Sequence, residues 1–174
     1  MNEEILRKDY ADSDERIDQL EKELMENADL FEMPLHHSFV PGFYIRTIFM
    51  PKGIGKVNIV TTLIHSSLHP FHISQGKISV QINKEEWETL EAPYSGITEP
   101  GTRRVIIIHE DCIFTTFHPI SADEQPKENT KEAADAAVER IVKRISQEHV
   151  NKHVGGVLKN NVVYNKLENE TQFY

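Results

Sequence analysis

Short apolar runs separated by turn residues fill the middle of the chain, whereas both flanks repeat their apolar positions every three to four residues. Residues 33–120 hold six of the eight glycines, seven of the eight prolines and seven of the nine histidines. This pattern predicts an all-β sandwich or small barrel with many turns. The predicted strands are 43–49, 57–65, 70–74, 77–82, 87–91, 103–109 and 113–118, with a long loop over 92–101. We expect the large aromatic side chains Phe71, Trp87, Phe114 and Phe117 to lie in its core or walls.

The two flanks predict helices. In the N-terminal arm Asp12 precedes Glu15 by three residues, as in a capping box, and Ile17, Leu20 and Leu24 follow at helical spacing. The pattern predicts a helix over 13–27, with a start as early as Glu3 left open. Its narrow apolar stripe fits packing against the β unit or a short coiled-coil contact.

The second predicted helix runs from 130 to about 149. Thr130 or Asn129 can cap its start, and Gly155-Gly156 lies beyond its end. Its apolar face consists of Ala134, Ala137, Val138, Ile141, Val142 and Ile145. The chain therefore divides into an acidic helical arm (1–33), a β-barrel (34–120), a polar linker (121–129), an amphipathic helix (130–150) and a polar tail (151–174). Within 157–174 there is one short apolar run, Val162-Val163-Tyr164, in an otherwise polar, Asn-rich stretch, which fits a loosely attached strand or disorder.

Charge and composition narrow the classes of function. The net charge is −9, and residues 1–32 carry twelve acids against four bases, whereas 33–120 carry seven of each. No segment has the basic balance that a nucleic-acid-binding face needs. The apolar runs are too short for a membrane span, and Met1–Glu4 lack the apolar region of a secretory signal. A single cysteine, Cys112, excludes an intrachain disulfide and fits a reducing compartment. We therefore expect a cytoplasmic protein with neither a nucleic-acid nor a membrane partner.

Histidines supply the candidate chemistry. His65, His69 and His72 fall within eight residues, and His118 lies on the last predicted strand. Imidazoles converging from neighbouring strands can hold a divalent metal ion with an open coordination position. The spacing is not that of a helical zinc motif, so the ligands have to come from separate strands.

The residues from His65 to Gly76, with Pro100-Gly101 and Arg104, resemble the two motifs of the cupin superfamily. Gly76 matches the glycine of the first motif, His65 matches its second histidine, and His69 stands where that motif has a glutamate. Leu63 stands at the first histidine, and Arg104 stands at the histidine of the second motif. The resemblance implies a mainly β fold, a jelly-roll barrel, here flanked by N-terminal and C-terminal α-helices.

A narrower resemblance covers residues 34–120. The stretches 41–46, 50–53, 100–104 and 109–119 are similar to small single-domain cupin-like proteins of tailed bacteriophages. That likeness implies a host-cytoplasm location and no particular reaction. Cupins include oxygenases, isomerases and binding modules, so the fold alone does not select a reaction.

These observations predict the site residues. His65, His69 and His118 are the expected metal ligands, for Fe, Mn, Zn or Ni. With a hairpin turn at Glu110-Asp111, His118 falls on the face opposite Arg104, and a one-residue bulge reverses that assignment. Arg104 repels a bare cation and favours a carboxylate or phosphate.

Other polar residues of the middle segment have less specific expected roles. We expect His72 to contribute to ligand binding or to lie outward. His36-His37 are expected at the surface before the barrel, and His109-Glu110-Asp111 in a polar turn. Cys112 is expected to be a structural thiol. Glu110 is a further candidate to complete a site, should the protein be an enzyme.

Two functions from different classes follow. The first is a small-molecule-binding cupin-like protein with an anionic ligand, metal-dependent or not, and with no assignable reaction. The second is a non-catalytic structural or regulatory module with a degenerate pocket, whose helices mediate assembly. A homo-oligomer is expected, and contact with a host protein through the acidic arm is a third hypothesis.

Overall fold

The computed structural model describes residues 11–27, 33–53, 58–65, 67–83 and 85–152. Within these ranges there are two α-helices and nine β-strands, numbered here in chain order. The helices are α1 (Ala11–Asn27) and α2 (Lys131–Lys152). The strands are β1 (Leu35–Val40), β2 (Phe43–Met50), β3 (Ile59–Thr61), β4 (His69–Gln75), β5 (Lys77–Ile82), β6 (Glu88–Glu91), β7 (Tyr94–Thr98), β8 (Arg104–Ile108) and β9 (Cys112–Pro119).

The strands form two antiparallel sheets. A five-stranded sheet has the order β1-β2-β9-β4-β7, and a four-stranded sheet has the order β3-β8-β5-β6. One core joins them, because its buried side chains come from both sheets. From the five-stranded sheet come Met50, Phe71, Ile73, Cys112 and Phe114, and from the four-stranded sheet come Ile78, Val80, Leu90, Ile106 and Ile108. The prediction of a mainly β fold with two helices is confirmed, and the strands form two antiparallel sheets that share one core.

Consecutive strands repeatedly pass from one sheet to the other. The β4–β5 step turns at Gly76, whose φ of 94° suits glycine. A Cβ built there would lie 2.4 Å from the carbonyl oxygen of Asp111, so the backbone contact also requires glycine. β8 and β9 are divided in the same way, since β8 pairs with β3 and β5 while β9 pairs with β2 and β4.

The predicted hairpin between the last two strands is therefore wrong. A short polar connection over 109–111 is compatible with a hairpin and with a step between sheets, and burial of both strands in the shared core selects the second. The predicted loop 92–101 contains β7, which pairs with β4. In the predicted strand 57–65, only Ile59–Thr61 is a strand among the described residues.

Other predictions at the edges of the β unit also need correction. His36 and His37 do not precede the sheets but belong to β1, which pairs with β2. Trp87 is 46% exposed rather than part of the core or walls. The linker contains a 3-10 turn at Ala122–Glu124, where the Glu124 carboxylate accepts the backbone N–H of Ser121.

The helices agree with the predicted periodicity. α1 includes Asp12, so that residue is inside the helix rather than at its N-cap. Thr130 does cap α2, because its hydroxyl accepts the N–H of Ala133. The face of α2 that carries Val138 and Ile141 packs against Tyr44 of β2. Within the described ranges neither helix is apolar enough over sufficient length to cross a bilayer. The predicted start near Glu3, Gly155-Gly156 and most of the tail lie outside the described residues.

Candidate functional site

The inner face of the five-stranded sheet changes from apolar to polar along its strands. Alternation in a strand places every second side chain on the same face, and Met50 and Phe114 fix that face as the one turned to the core. Further along, the same face carries two polar cross-strand rows. One row runs Phe39, Tyr44, His118, His69 and Thr98, and the next runs His37, Arg46, Thr116, Phe71 and Gly96.

The three predicted metal ligands come together at this polar end. The ring centroids of His69 and His118 are 4.4 Å apart, those of His65 and His69 are 4.9 Å apart, and those of His65 and His118 are 6.5 Å apart. We call His65, His69 and His118 the histidine cluster. The parity argument that turned His118 away is wrong, because it assumed that β9 pairs with β8.

Backbone hydrogen bonds hold His65 in place although it lies outside a strand. Its N–H donates to the carbonyl of Thr102, and its own carbonyl accepts the N–H of Gly101. The preceding residue, Ile64, donates its N–H to Nδ1 of His149 in α2 at 2.9 Å. The segment that carries His65 is thus fixed both to the loop that precedes β8 and to α2.

His69 has one ring nitrogen engaged and one available. Its Nδ1 lies 2.9 Å from the carbonyl oxygen of Ser67 and donates its proton there, since a carbonyl can only accept. Nε2 therefore carries a lone pair, and this buried atom has no hydrogen-bond partner among the described residues. His118 is the neighbour on the other side, and its ring stacks on Tyr44 at 5.8 Å.

The histidine cluster is uncharged near neutral pH. Burial lowers the pKa of His118 to about 3, and burial together with the neighbouring rings and arginines lowers the pKa of His65 well below its usual range. Burial also lowers the pKa of His69, against the hydrogen bond to Ser67. Neutral imidazoles offer lone pairs, which is the state a metal or a protic ligand requires.

Arg104 enters the same space from the opposite sheet. Its Nη2 donates to the Thr98 hydroxyl at 2.9 Å, and its Cζ lies 5.4 Å from the centroid of the Phe71 ring. Burial lowers its pKa to about 10, so it remains charged at neutral pH. No carboxylate of the described residues forms an ion pair with it, whereas the adjacent Arg103 contacts Asp14, Asp18 and Glu21.

Arg46 is the site residue that the sequence analysis missed. It alternates with Tyr44 and Ile48 on the inner face of β2 and lies opposite Thr116. Burial is the main cause of the low pKa values of His65 and His118, and the positive charge of Arg46 contributes to both. A signal could have been found in the alternation of β2, had its inner face been known.

The fit to a metal ion is partial. Three neutral rings and an unpartnered Nε2 supply suitable donors, but no carboxylate of the described residues joins them. Within the described ranges, no group of three or more His, Cys, Asp or Glu side chains is arranged to hold a metal ion. The predicted metal centre therefore has its residues assembled without a coordination geometry.

The remaining candidates lie elsewhere. His72 is on the outer face of the five-stranded sheet, where its Nδ1 is 2.9 Å from the Ser95 hydroxyl, so it is not brought to the histidine cluster. His109, at the polar turn, shares a hydrogen bond between its Nε2 and the Ser79 hydroxyl, and Glu110 is exposed there. Cys112 is fully buried, and burial raises the pKa of its thiol to about 11, as suits a structural side chain.

Comparison with known proteins gives structural likenesses only. No family model and no curated protein matches the chain. A cupin-2 domain containing protein from Shewanella frigidimarina is 10% identical, with a TM-score of 0.41, over 58% of this chain and 92% of that one. The Schizosaccharomyces pombe Cnp3 cupin domain is 18% identical, with a TM-score of 0.42, over 56% and 72%.

Hydroxypropylphosphonic acid epoxidase from S. wedmorenis is 6% identical, with a TM-score of 0.43, over 53% of this chain and 56% of that chain. Solved structures of cupin-domain proteins are thus among those similar to this chain. Since these TM-scores are below 0.5, the chemistry of the site depends on the contacts described above.

Proposed function

We propose that the chain is a small-molecule-binding protein of cupin type that takes an anionic ligand beside the histidine cluster. One observation carries the proposal: Arg104 is buried and charged, and no carboxylate of the described residues neutralises it. An unpaired buried charge costs several kcal/mol of free energy. A bound carboxylate or phosphate would remove that cost and accept paired hydrogen bonds from the guanidinium.

The surroundings suit such a ligand. Thr98 and the Phe71 ring hold Arg104 in position, so little side-chain entropy is lost on binding. The neutral rings of His69 and His118 offer hydrogen bonds without cancelling the charge of the arginine. Nε2 of His69, which has no partner among the described residues, is suited to accept a hydrogen bond from an O–H or N–H group of the ligand.

The metal dependence is a further part of this proposal. His65, His69 and His118 are the residues that would hold a divalent ion such as Fe, Mn, Zn or Ni. Such an ion would supply Lewis-acid polarisation of a bound oxygen. The chain's own part is to keep three imidazoles neutral and adjacent, and to hold an anionic group with Arg104. No reaction is proposed.

Binding of inorganic phosphate and of acetate, measured by isothermal titration calorimetry, tests the anion site. We expect the Arg104→Gln variant to lose at least tenfold in affinity, and the Arg140→Gln variant, altered on the exposed face of α2, to match the wild type. Absence of binding by both anions to the wild type would exclude the anion site.

Elemental analysis tests the metal site separately. Protein purified without a histidine tag should contain a stoichiometric transition metal, and a His65→Ala/His69→Ala variant should lose it. The matched control is His36→Ala/His72→Ala, which removes two histidines from the outer face of the five-stranded sheet. Metal retained by the first variant, or absent from the wild type after reconstitution, would exclude this centre.

The outer face of the five-stranded sheet favours the alternative, a non-catalytic module that assembles with a second copy of itself. A row of uncharged residues crosses all five strands, so two copies meeting there would not repel each other: Ser38, Ile45, Phe117, Pro70 and Ile97. Ile97 and Phe43 are exposed. Sedimentation velocity should show a dimer that Ile97→Lys dissociates and Trp87→Lys, away from that row, does not. A monomer at all concentrations would exclude it.

A further inference from the structure

We infer that the ligand of the histidine cluster is a doubly charged oxyanion, held between Arg104 and a second anchor, Arg46. This inference rests on the proposed function and adds the charge of the ligand and a residue that recognises it. It follows from the strands that carry the two arginines, from the carboxylates that pair with Arg103 and Arg144, and from the lack of a carboxylate paired with Arg46 or Arg104 among the described residues.

The two arginines approach the same cross-strand row from opposite sheets. Arg46 lies on β2 opposite Thr116 of β9, and Thr116 lies opposite Phe71 of β4. Arg104 comes from β8 of the other sheet and lies over the Phe71 ring. Two strand spacings, about 10 Å, therefore separate the Arg46 backbone from the position over which Arg104 sits. Arginine side chains are long enough to reach one ligand across that gap.

The histidine cluster lies beside both arginines in the register of the sheet. His118 neighbours His69 and stacks on Tyr44, which is two positions before Arg46 on the same face of β2. Thr98 lies opposite His69 and accepts the hydrogen bond of Arg104.

Carboxylates of the described residues pair with other arginines. Arg103 has three carboxylates around it, and Arg144 contacts Glu124 and Glu148. Among the described residues, neither Arg46 nor Arg104 has an ion pair with a carboxylate, although the chain contains 28 acids. Arg104 is buried and Arg46 is partly buried, and two guanidinium groups without a carboxylate partner can bind two negative charges, which a dicarboxylate or a phosphate group provides.

Calorimetric titration at pH 8 and constant ionic strength tests this with three probes. Acetate carries one charge, whereas succinate and inorganic phosphate carry two, and the latter pair distinguishes a dicarboxylate from a phosphate group. We expect at least one dianion to bind wild-type protein more than 30-fold tighter than acetate. Arg46→Gln should reduce that dianion's affinity at least tenfold and leave acetate within threefold. Arg104→Gln should weaken both, and Arg140→Gln neither.

Arg46→Lys separates charge from folding. It keeps the positive charge, so it should retain most of the preference for the dianion if it unfolds at the wild-type temperature. Equal affinity for acetate and both dianions, or a preference that survives in Arg46→Gln, would overturn this inference and leave the anion site itself intact. If none of the probes binds wild-type protein, the proposed function fails with it.

Discussion

Gly96 determines how the aromatic wall beside Arg104 is packed. A Cβ built at this position would lie 2.5 Å from Cζ of Phe71, whose ring is buried and stacked on Phe114 at 5.0 Å. The ring cannot move aside without disturbing that stack. We therefore expect Gly96→Ala to reduce the free energy of unfolding by about 1–3 kcal/mol, the usual cost of overpacking a core, as measured by urea denaturation.

Its control is the neighbouring exposed position. Ile97→Ala, on the outer face, should change stability by less than about 0.5 kcal/mol. Phe71→Leu removes the ring that Gly96→Ala displaces, so the double variant should be more stable than the sum of the two single effects implies. Additive effects would show that the clash is relieved in some other way.

The buried histidines give the protein a pH-dependent stability. Burial lowers the pKa of His37 to about 4 and that of His118 to about 3, and it lowers those of His65 and His69. The unfolded chain, with pKa values near 6.5, binds protons below that pH that the folded chain does not. The free energy of unfolding should therefore be at its maximum above pH 6.5 and should decrease as the pH is lowered towards 3.

Urea midpoints recorded from pH 8 to pH 4 measure this dependence. His118→Gln removes one titrating ring and should flatten the fall, whereas His36→Gln, exposed on the outer face, should reproduce the wild-type curve. A midpoint that does not change between pH 7 and pH 4.5 would contradict the burial of neutral rings.

At the scale of elements, α2 holds the segment beside His65 in place through a hydrogen bond. Nδ1 of His149 accepts the N–H of Ile64, next to His65, and His149 is only 3% exposed. His149→Phe keeps the bulk and leaves that buried N–H without its acceptor, which costs about 1–3 kcal/mol. We expect this loss in urea denaturation, together with faster hydrogen exchange of the Ile64 amide.

His149→Gln offers an amide oxygen in place of the ring nitrogen and should restore part of the protection at Ile64. Gln147→Ala, on the exposed face of the same helix, controls for general effects on α2. If the Ile64 amide exchanges at the wild-type rate in His149→Phe, the bond between α2 and this segment contributes nothing to its stability.

The elements themselves were largely predictable, and their pairing was not. The alternation of apolar and polar residues predicted β5 at its observed bounds, and the apolar repeat of three to four residues predicted α2 to within a few residues of its ends. Which strands pair depends on residues that are far apart in sequence. The short turn at Glu110-Asp111 therefore predicted a hairpin, whereas the chain passes there from one sheet to the other. The sequence did not predict β7, because its residues Tyr94–Thr98 lie among glycines and prolines and include only two large apolar side chains.

The candidate site was predictable in part. His65 and His69 followed from the cluster of histidines and from the resemblance to the first cupin motif, and Arg104 followed only from its place in the second motif. Arg46 was missed because β2 carries apolar side chains on both faces, Phe43 and Ile45 as well as Tyr44 and Ile48. Such a strand does not reveal which face is inside, so the orientation of a single arginine within it cannot be read from the sequence.

At the scale of the whole molecule, an ionic contact attaches the acidic arm to the β unit. The Arg103 guanidinium is fully buried and lies 2.8 Å from a carboxylate oxygen of Asp18 and 3.2 Å from one of Glu21, both on α1. Its Nε also donates to the carbonyl of Thr62, near His65. This arrangement indicates that the charge of the arm is partly structural, whatever further partner it contacts.

The loss of stability on removing the Arg103 charge should depend on the presence of the acidic arm. In the full chain Arg103→Gln leaves three carboxylates around a neutral side chain, at a cost of about 3–5 kcal/mol. Arg144→Gln, which breaks half-exposed pairs, should cost less than about 1 kcal/mol. With residues 1–32 deleted, the carboxylates are gone and the guanidinium is itself unpaired, so Arg103→Gln should cost far less there than in the full chain. Thermal unfolding of the four proteins in this cycle measures the coupling, and an equal cost in both backgrounds would mean that α1 is held by its apolar face alone.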